Sequence, residues 1–119
     1  MRILVVEDDD NTRTGLVEIL TLEGFEVTAV ASAEAAANML NLDFSIVLTD
    51  LRLPGGSGLD LIKNVRQTGR EVFCILMTAF STPESYLEGK NLGVNAWLNK
   101  PISIDKLLSL LQMFDSVPI

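Results

Sequence analysis

Short apolar runs alternate along the chain with longer segments in which apolar residues recur at helical spacing. The runs predict five strands, at residues 2–6, 26–30, 44–49, 72–78 and 94–98. The segments between and after them predict five helices, over 11–23, 32–40, 59–67, 81–93 and from 103 onward. In the fourth helix, Ser81 and Glu84 are predicted to form a capping box, with Pro83 in the first turn.

Strict alternation of strand and helix predicts an α/β fold with a parallel sheet covered by helices on both faces. For five strands, the common order is the flavodoxin-like 2-1-3-4-5, whose site lies at the carboxyl ends of strands one and three. No linker, repeat or low-complexity tract interrupts the 119 residues, so residues 1–119 are predicted to form one domain.

The amino-acid composition disfavours several classes of function and of site. Nine basic and sixteen acidic residues give a net charge of -7, which disfavours direct binding to nucleic acids or to anionic membranes. No apolar run is long enough to cross a bilayer and no signal peptide is evident, so a cytoplasmic location is predicted. The chain has no histidine, which excludes serine-type triads and most zinc sites, and Cys74 is interpreted as a small buried hydrophobe.

Carboxylates follow two strands that are neighbours in the predicted strand order. Glu7 and Asp8 end strand one and Asp50 ends strand three, so the three side chains are expected in one crevice. Like charges that close require a cation, and oxygen ligands favour magnesium, with Asp8 and Asp50 as ligands. Thr78 and Lys100 follow strands four and five at the same edge. A hydroxyl and an ammonium beside a carboxylate suit a phosphoryl group, with Asp50 as its nucleophile.

Four separated motifs together resemble the receiver domains of two-component response regulators, including chemotaxis-regulator-like receivers. They are the acidic pair, the pattern D-x-x-x-P-x-x-x-G, the hydroxyl after strand four and the K-P pair, within residues 3–9, 49–58, 77–79 and 99–101. The resemblance spans the whole chain. It implies that Asp50 is the phosphoacceptor, that Glu7 and Asp8 are the acidic pair, and that the backbone carbonyl of Arg52 completes the magnesium ligands.

The resemblance also implies roles for the residues opposite the acids. Thr78 would bind the phosphoryl oxygens and move inward on phosphorylation. Lys100 would pair with the phosphoryl group, and its bond to Pro101 would be cis. Trp97 stands where the family usually has a switching Tyr or Phe, and its sequence position allows equally for a packing role and a switching role.

Under this interpretation the chain is a switch and not an enzyme, apart from catalysing its own phosphorylation and dephosphorylation. A sensor histidine kinase or a histidine phosphotransfer protein would supply the phosphoryl group. The face formed by the fourth helix, fifth strand and fifth helix would then bind a partner, an output domain or a second copy of the chain. Arg52 and Phe80 lie beside the site and are candidates for tuning water access, whereas Asp9 and Asp10 are interpreted as helix-capping residues.

Three other functions remain open at this point. Residues 8–12 also match the D-x-D-x-T signature of haloacid-dehalogenase-type phosphohydrolases, which would make Asp8 the nucleophile. Against this, Glu7 stands where an apolar residue is expected, and no paired acidic motif follows Lys100. A flavin-binding flavodoxin shares the fold, but the acidic cluster would repel its phosphate. An interaction module without phosphorylation is disfavoured because the acceptor, the acids, Thr78 and Lys100 are all present.

Overall fold

The structure, a computed structural model, describes residues 1–115; residues 116–119 of the predicted domain lie outside the described part. Its elements in chain order are β1 (Arg2–Val6), α1 (Asp10–Leu22), β2 (Glu26–Val30), α2 (Ala33–Ala37), β3 (Ile46–Asp50), β4 (Arg52–Leu53), β5 (Gly56–Ser57), α3 (Gly58–Gln67), β6 (Phe73–Thr78), α4 (Pro83–Asn91), β7 (Ala96–Asn99) and α5 (Ile104–Asp115).

Five of the strands form one parallel sheet in the order β2-β1-β3-β6-β7. The predicted order 2-1-3-4-5 is thereby confirmed, because β6 and β7 are the fourth and fifth long strands. The sequence did not predict β4 and β5, which pair with each other as a short antiparallel hairpin just after β3.

Successive residues of the central strands point to opposite faces of the sheet, and each face has its own core. In β1, Leu4 and Val6 pack with the buried residues of α2 and α3, whereas Ile3 and Val5 pack with those of α1 and α5. Burial on both faces explains why the central strands read as continuous apolar runs. It also fixes the carboxyl ends of β1, β3 and β6 at one edge of a rigid sheet.

Two predicted helix boundaries were wrong. The second helix ends at Ala37 rather than at residue 40, because Met39 and Leu40 turn towards the core formed with α2 and α3 and residues 38–41 adopt turns. The fourth helix begins one residue later than its predicted capping box: Thr82 and Ser85 cap each other, instead of Ser81 and Glu84. The other predicted boundaries differ from those observed by one or two residues.

The one cysteine gives a simple test of the packing. Cys74 is fully buried in β6, as predicted, and burial raises the pKa of its thiol to about 11. We expect the folded protein to react with a thiol reagent at neutral pH only as fast as it opens, and therefore far more slowly than in denaturant. Mass spectrometry of alkylated protein over time checks this; rapid labelling under native conditions would contradict it.

Candidate functional site

Three carboxylates meet at the carboxyl edge of the sheet. Val6 pairs with Thr49 in neighbouring parallel strands, so Glu7 and Asp8 leave β1 beside Asp50 at the end of β3. One oxygen from each acid lies within 4.8 Å of the others. Glu7 is fully buried, Asp50 is 7% exposed and Asp8 is exposed. The arrangement is an oxygen-rich cluster, open to solvent on the side of Asp8, whose ligand chemistry and spacing fit a hard divalent cation.

Lys100 supplies the positive charge that this cluster contacts. Its Nζ donates to Oε1 of Glu7 at 2.6 Å and to Oδ2 of Asp50 at 2.7 Å. Partial burial lowers the pKa of Lys100, but the hydrogen bonds and negative charges of Asp50 and Glu7 outweigh it, so the pKa lies above the usual value. Lys100 therefore stays charged at neutral pH. The Lys100–Pro101 peptide bond is cis.

Thr78 lies on the wall of the cleft above Asp50, but its hydroxyl is bonded elsewhere. Its Oγ1 donates to the carbonyl of Phe80 at 2.8 Å and accepts from the Phe80 amide at 3.0 Å. The side chain of Phe80 is 69% exposed and lines the same cleft, together with Arg52 and Lys100. In this structure the hydroxyl thus fixes the loop after β6 instead of contacting Asp50.

The β4–β5 hairpin shapes the other side of the cleft. Pro54 and Gly55 form its turn, and Gly55 has a φ of 76°, a conformation that glycine adopts without strain. The hairpin returns the chain to Ser57, whose hydroxyl accepts from the amide of Leu59 and caps α3. Arg52 lies in β4, two residues beyond Asp50, with its side chain exposed.

The remaining acids of the first loop belong to helix α1. Asp9 accepts hydrogen bonds from the amide and the hydroxyl of Thr12, which lower the Asp9 pKa, and it is the N-cap residue as predicted. Asp10, in the first turn, forms an ion pair with Arg13. Arg13 also donates to the backbone carbonyl of Glu7 at 3.0 Å. The cap therefore fixes the loop that carries the acidic pair.

Trp97 is half-buried in the edge strand β7 and packs on helix α4. Its ring centroid lies 5.5 Å from that of Tyr86, and a Cβ at Gly89 would come within 2.5 Å of its Cζ2. A glycine at position 89 therefore provides the space that the indole ring occupies. Sequence analysis did not single out Gly89, although a glycine inside a helical pattern is a recognised sign of close packing.

The fold and the site together define the class: a doubly wound α/β domain with an acidic cluster, a lysine and a threonine at the carboxyl edge of its sheet. Comparison with known proteins gives the family. Residues 3–112 match the family model described as the response regulator receiver domain, and the chain belongs to this family. It is accordingly a phosphorylation-dependent signalling switch.

Individual relatives agree with this assignment. The chain is 31% identical over 115 residues to the response regulator RppA of Synechocystis, covering 94% of this chain and 49% of RppA. It is 37% identical over 108 residues to the response regulator protein PmrA of Pseudomonas aeruginosa, covering 90% and 49%. A CheY-like receiver domain protein from Methanospirillum hungatei superposes with a TM-score of 0.91 at 28% identity, covering 95% and 91% of the two chains.

The chain spans about half the length of these two curated relatives. Response regulators act with histidine kinases and carry output domains, among them domains of transcriptional regulators. Among the helices of the described residues, we find none that has the length and apolar character needed to span a bilayer.

Proposed function

We propose that Asp50 is the residue that accepts the phosphoryl group. The observation that carries this proposal is the position of its carboxylate, which lines the open cleft with Thr78 and is held by Lys100. Glu7 is fully buried behind it, and Asp8 is absent from the residues that line this cleft. Asp50 is therefore the acid best placed to meet a donor that approaches through the cleft.

In the proposed reaction, a carboxylate oxygen of Asp50 attacks the phosphorus of a phosphohistidine on a sensor histidine kinase or a histidine phosphotransfer protein. An O–P bond forms, the N–P bond breaks, and the electron pair stays on the imidazole nitrogen of the donor. Lys100 offsets the negative charge on the phosphoryl oxygens. Hydrolysis of the acyl phosphate by water resets the switch, so the chain catalyses only its own phosphorylation and dephosphorylation.

Magnesium is the proposed cofactor, held by Glu7, Asp8, Asp50 and the backbone carbonyl of Arg52. The fit rests on three carboxylates whose oxygens lie within 4.8 Å of one another. Among the described residues, Lys100 is the only cation that forms ion pairs with these three carboxylates. When bound, magnesium would supply additional positive charge against the phosphoryl oxygens. The side chain of Asp8 is exposed and would hold the cation on the solvent side.

Thr78 and Trp97 are the proposed switch residues. To donate to a phosphoryl group on Asp50, the Thr78 hydroxyl must give up the hydrogen bond that it donates to the Phe80 carbonyl. The loop after β6 would then move, and with it the surface formed by α4, β7 and α5, where Trp97 packs on α4. That surface is the proposed site for an output domain, an effector or a second copy of the chain. We also propose that the protein is cytoplasmic and that residues 1–119 form one domain.

The test is intact-protein mass spectrometry after incubation with acetyl phosphate, with and without magnesium. We expect the wild type to gain the mass of one phosphoryl group only with magnesium, and Asp50→Asn to gain none. Asp8→Asn should need a higher magnesium concentration or give a lower yield, because one ligand is lost. Asp60→Asn, on the exposed face of α3, is the matched control and should behave like the wild type.

The outcomes separate the alternatives. An adduct that survives Asp50→Asn and maps to Asp8 would favour the phosphohydrolase interpretation and contradict our proposal. No adduct in any variant would favour an interaction module that works without phosphorylation. A flavodoxin would copurify with a yellow flavin, which the absorption spectrum of the purified protein reveals directly.

A further inference from the structure

Among the helices longer than five residues, α4 has the smallest fraction of buried residues. Of its nine residues only Gly89 is buried, whereas α3 buries five of its ten. Tyr86 and Leu87 are exposed. Apart from the contact of Tyr86 and Gly89 with Trp97, apolar packing along α4 is sparse, so its position depends strongly on what fixes its two ends.

Arg66 makes most of the side-chain hydrogen bonds at the C-terminal end, where Asn95 also exchanges hydrogen bonds with Cys74 of β6. Arg66, in the last turn of α3, donates to the carbonyl of Leu92 at 3.0 Å through Nε and to that of Gly93 at 2.6 Å through Nη2. Its Nη1 donates to the carbonyl of Val72 at 2.7 Å, and Nη2 also reaches Oδ1 of Asn95 at 3.1 Å. One guanidinium thus joins the end of α4 to the start of β6.

The chemistry of this contact favours a firm anchor. Arginine presents several donors in a planar fork, and hydrogen bonds from a charged donor are stronger than neutral ones. The positive charge also meets the negative end of the α4 dipole. Among the described residues no acid forms an ion pair with Arg66, and its hydrogen-bond acceptors are backbone carbonyls and the side-chain amide of Asn95. Its own helix is held by the buried Ile62 and Val65.

The N-terminal end of α4 is attached in a different way. Its cap is local, between Thr82 and Ser85, and the preceding residues Ala79, Phe80 and Ser81 are exposed. Two hydrogen bonds between Thr78 and Phe80 attach this loop to the sheet edge. One end of α4 is therefore anchored independently of Asp50, and the other is attached through a residue that lines the cleft of Asp50.

We propose that Arg66 is the hinge of α4: it holds the C-terminal end in place, so that phosphorylation displaces the N-terminal end. The inference rests on the proposed function, because the displacement begins when Thr78 leaves Phe80 for the phosphoryl group. Arg66 is a positioning residue and does not touch the reacting atoms. It converts a local loosening of the loop into a rotation of the exposed face that carries Tyr86 and Leu87.

The experiment is residue-resolved amide hydrogen exchange by NMR, with magnesium, before and after saturation with beryllofluoride. In the wild type, the amides of Phe80, Ser85 and Tyr86 should change their exchange rates by about tenfold or more. The amides of Leu92, Gly93 and Val94, which are bonded at the C-terminal end, should change by less than about twofold.

Arg66→Met should release the C-terminal end, so that the amides at both ends respond to beryllofluoride. The matched control is Arg70→Met, which removes the same charge and a 2.9 Å bond to the carbonyl of Leu42, away from α4. Loss of stability alone would raise exchange before beryllofluoride is added. Only loss of the hinge changes which end of α4 responds to beryllofluoride.

Equal changes at both ends of α4 in the wild type would overturn the hinge, and this measurement requires no variant that folds poorly. A wild-type response confined to the N-terminal end that persists unchanged in a folded Arg66→Met would overturn the role of Arg66. The mass-spectrometry test is run in parallel: no phosphoryl adduct, with no change at any amide, would overturn the proposed function itself. A normal adduct with the wrong exchange pattern overturns only the hinge.

Discussion

Replacing Lys100 with methionine should lower the free energy of unfolding by about 2–3 kcal/mol at neutral pH without magnesium. Methionine keeps the apolar stem of the side chain but removes the ammonium that Glu7 and Asp50 share. Glu7 is fully buried, and a buried carboxylate without its partner is strongly destabilising. The estimate lies at and below the lower end of the range for broken buried pairs because the side chain of Lys100 is 25% exposed. Urea denaturation measures the change.

The pH dependence of this difference follows from the raised pKa of Lys100. A cation with a raised pKa stabilises the folded state fully below its unfolded pKa of about 10.5 and loses that contribution as pH rises through the folded value. The deficit of the variant should therefore be constant around neutral pH and, on the alkaline side, should begin to shrink only above about pH 10.5.

Two further measurements define the origin of the deficit. Magnesium should reduce it, because a cation among the carboxylates replaces part of the missing charge. Lys63→Met, at an exposed position of α3, is the matched control and should change stability by less than about 0.5 kcal/mol. A Lys100→Met variant as stable as this control would show that the ammonium does not hold the cluster together.

The predictable part of the fold came from periodicity and from the rule for parallel connections. Alternating strands and helices determine a right-handed doubly wound sheet, and that topology brings Glu7 next to Asp50 although 43 positions separate them. The β4–β5 hairpin was missed because two-residue strands have no periodicity to detect. The end of α2 was missed because Met39 and Leu40 fit a helical pattern and a core contact equally well.

At the site, residue types were predictable and hydrogen-bond partners were not. Carboxylates, a hydroxyl and a lysine at strand ends predict a common edge, and the structure brings Glu7, Asp50 and Lys100 into contact there. The bonds of Thr78 to Phe80 depend on the conformation of one loop, for which the sequence contains no periodic signal. Arg66 was missed for a similar reason: its acceptors are mainly backbone carbonyls, and any sequence can provide those.

Gly58 explains in physical terms why the D-x-x-x-P-x-x-x-G pattern ends in glycine. The pattern places Gly58 at the start of α3, where its amide donates to the carbonyl of Leu51 at 2.8 Å. A Cβ at this position would overlap the backbone oxygen of Asp50 and come within 3.0 Å of Cδ2 of Leu76. Backbone cannot move aside as a flexible side chain can, so no substitution fits without displacing Asp50.

Gly58→Ala should therefore lower the free energy of unfolding by about 3 kcal/mol. It should also reduce the yield of phosphoryl adduct on Asp50 in the fraction that stays folded, because the displaced backbone carries the acceptor carboxylate. Urea denaturation and intact-protein mass spectrometry with acetyl phosphate and magnesium measure the two effects separately.

The matched control for Gly58→Ala is the same substitution at Gly15, inside helix α1. A Cβ there would meet no atom within 4 Å, and alanine favours the helix over glycine, so Gly15→Ala should raise stability by about 0.5–1 kcal/mol. The two substitutions add the same methyl group and should change stability in opposite directions. If Gly58→Ala were as well tolerated as Gly15→Ala, the close approach of α3 to the Asp50 backbone would not be what demands glycine at the end of the motif.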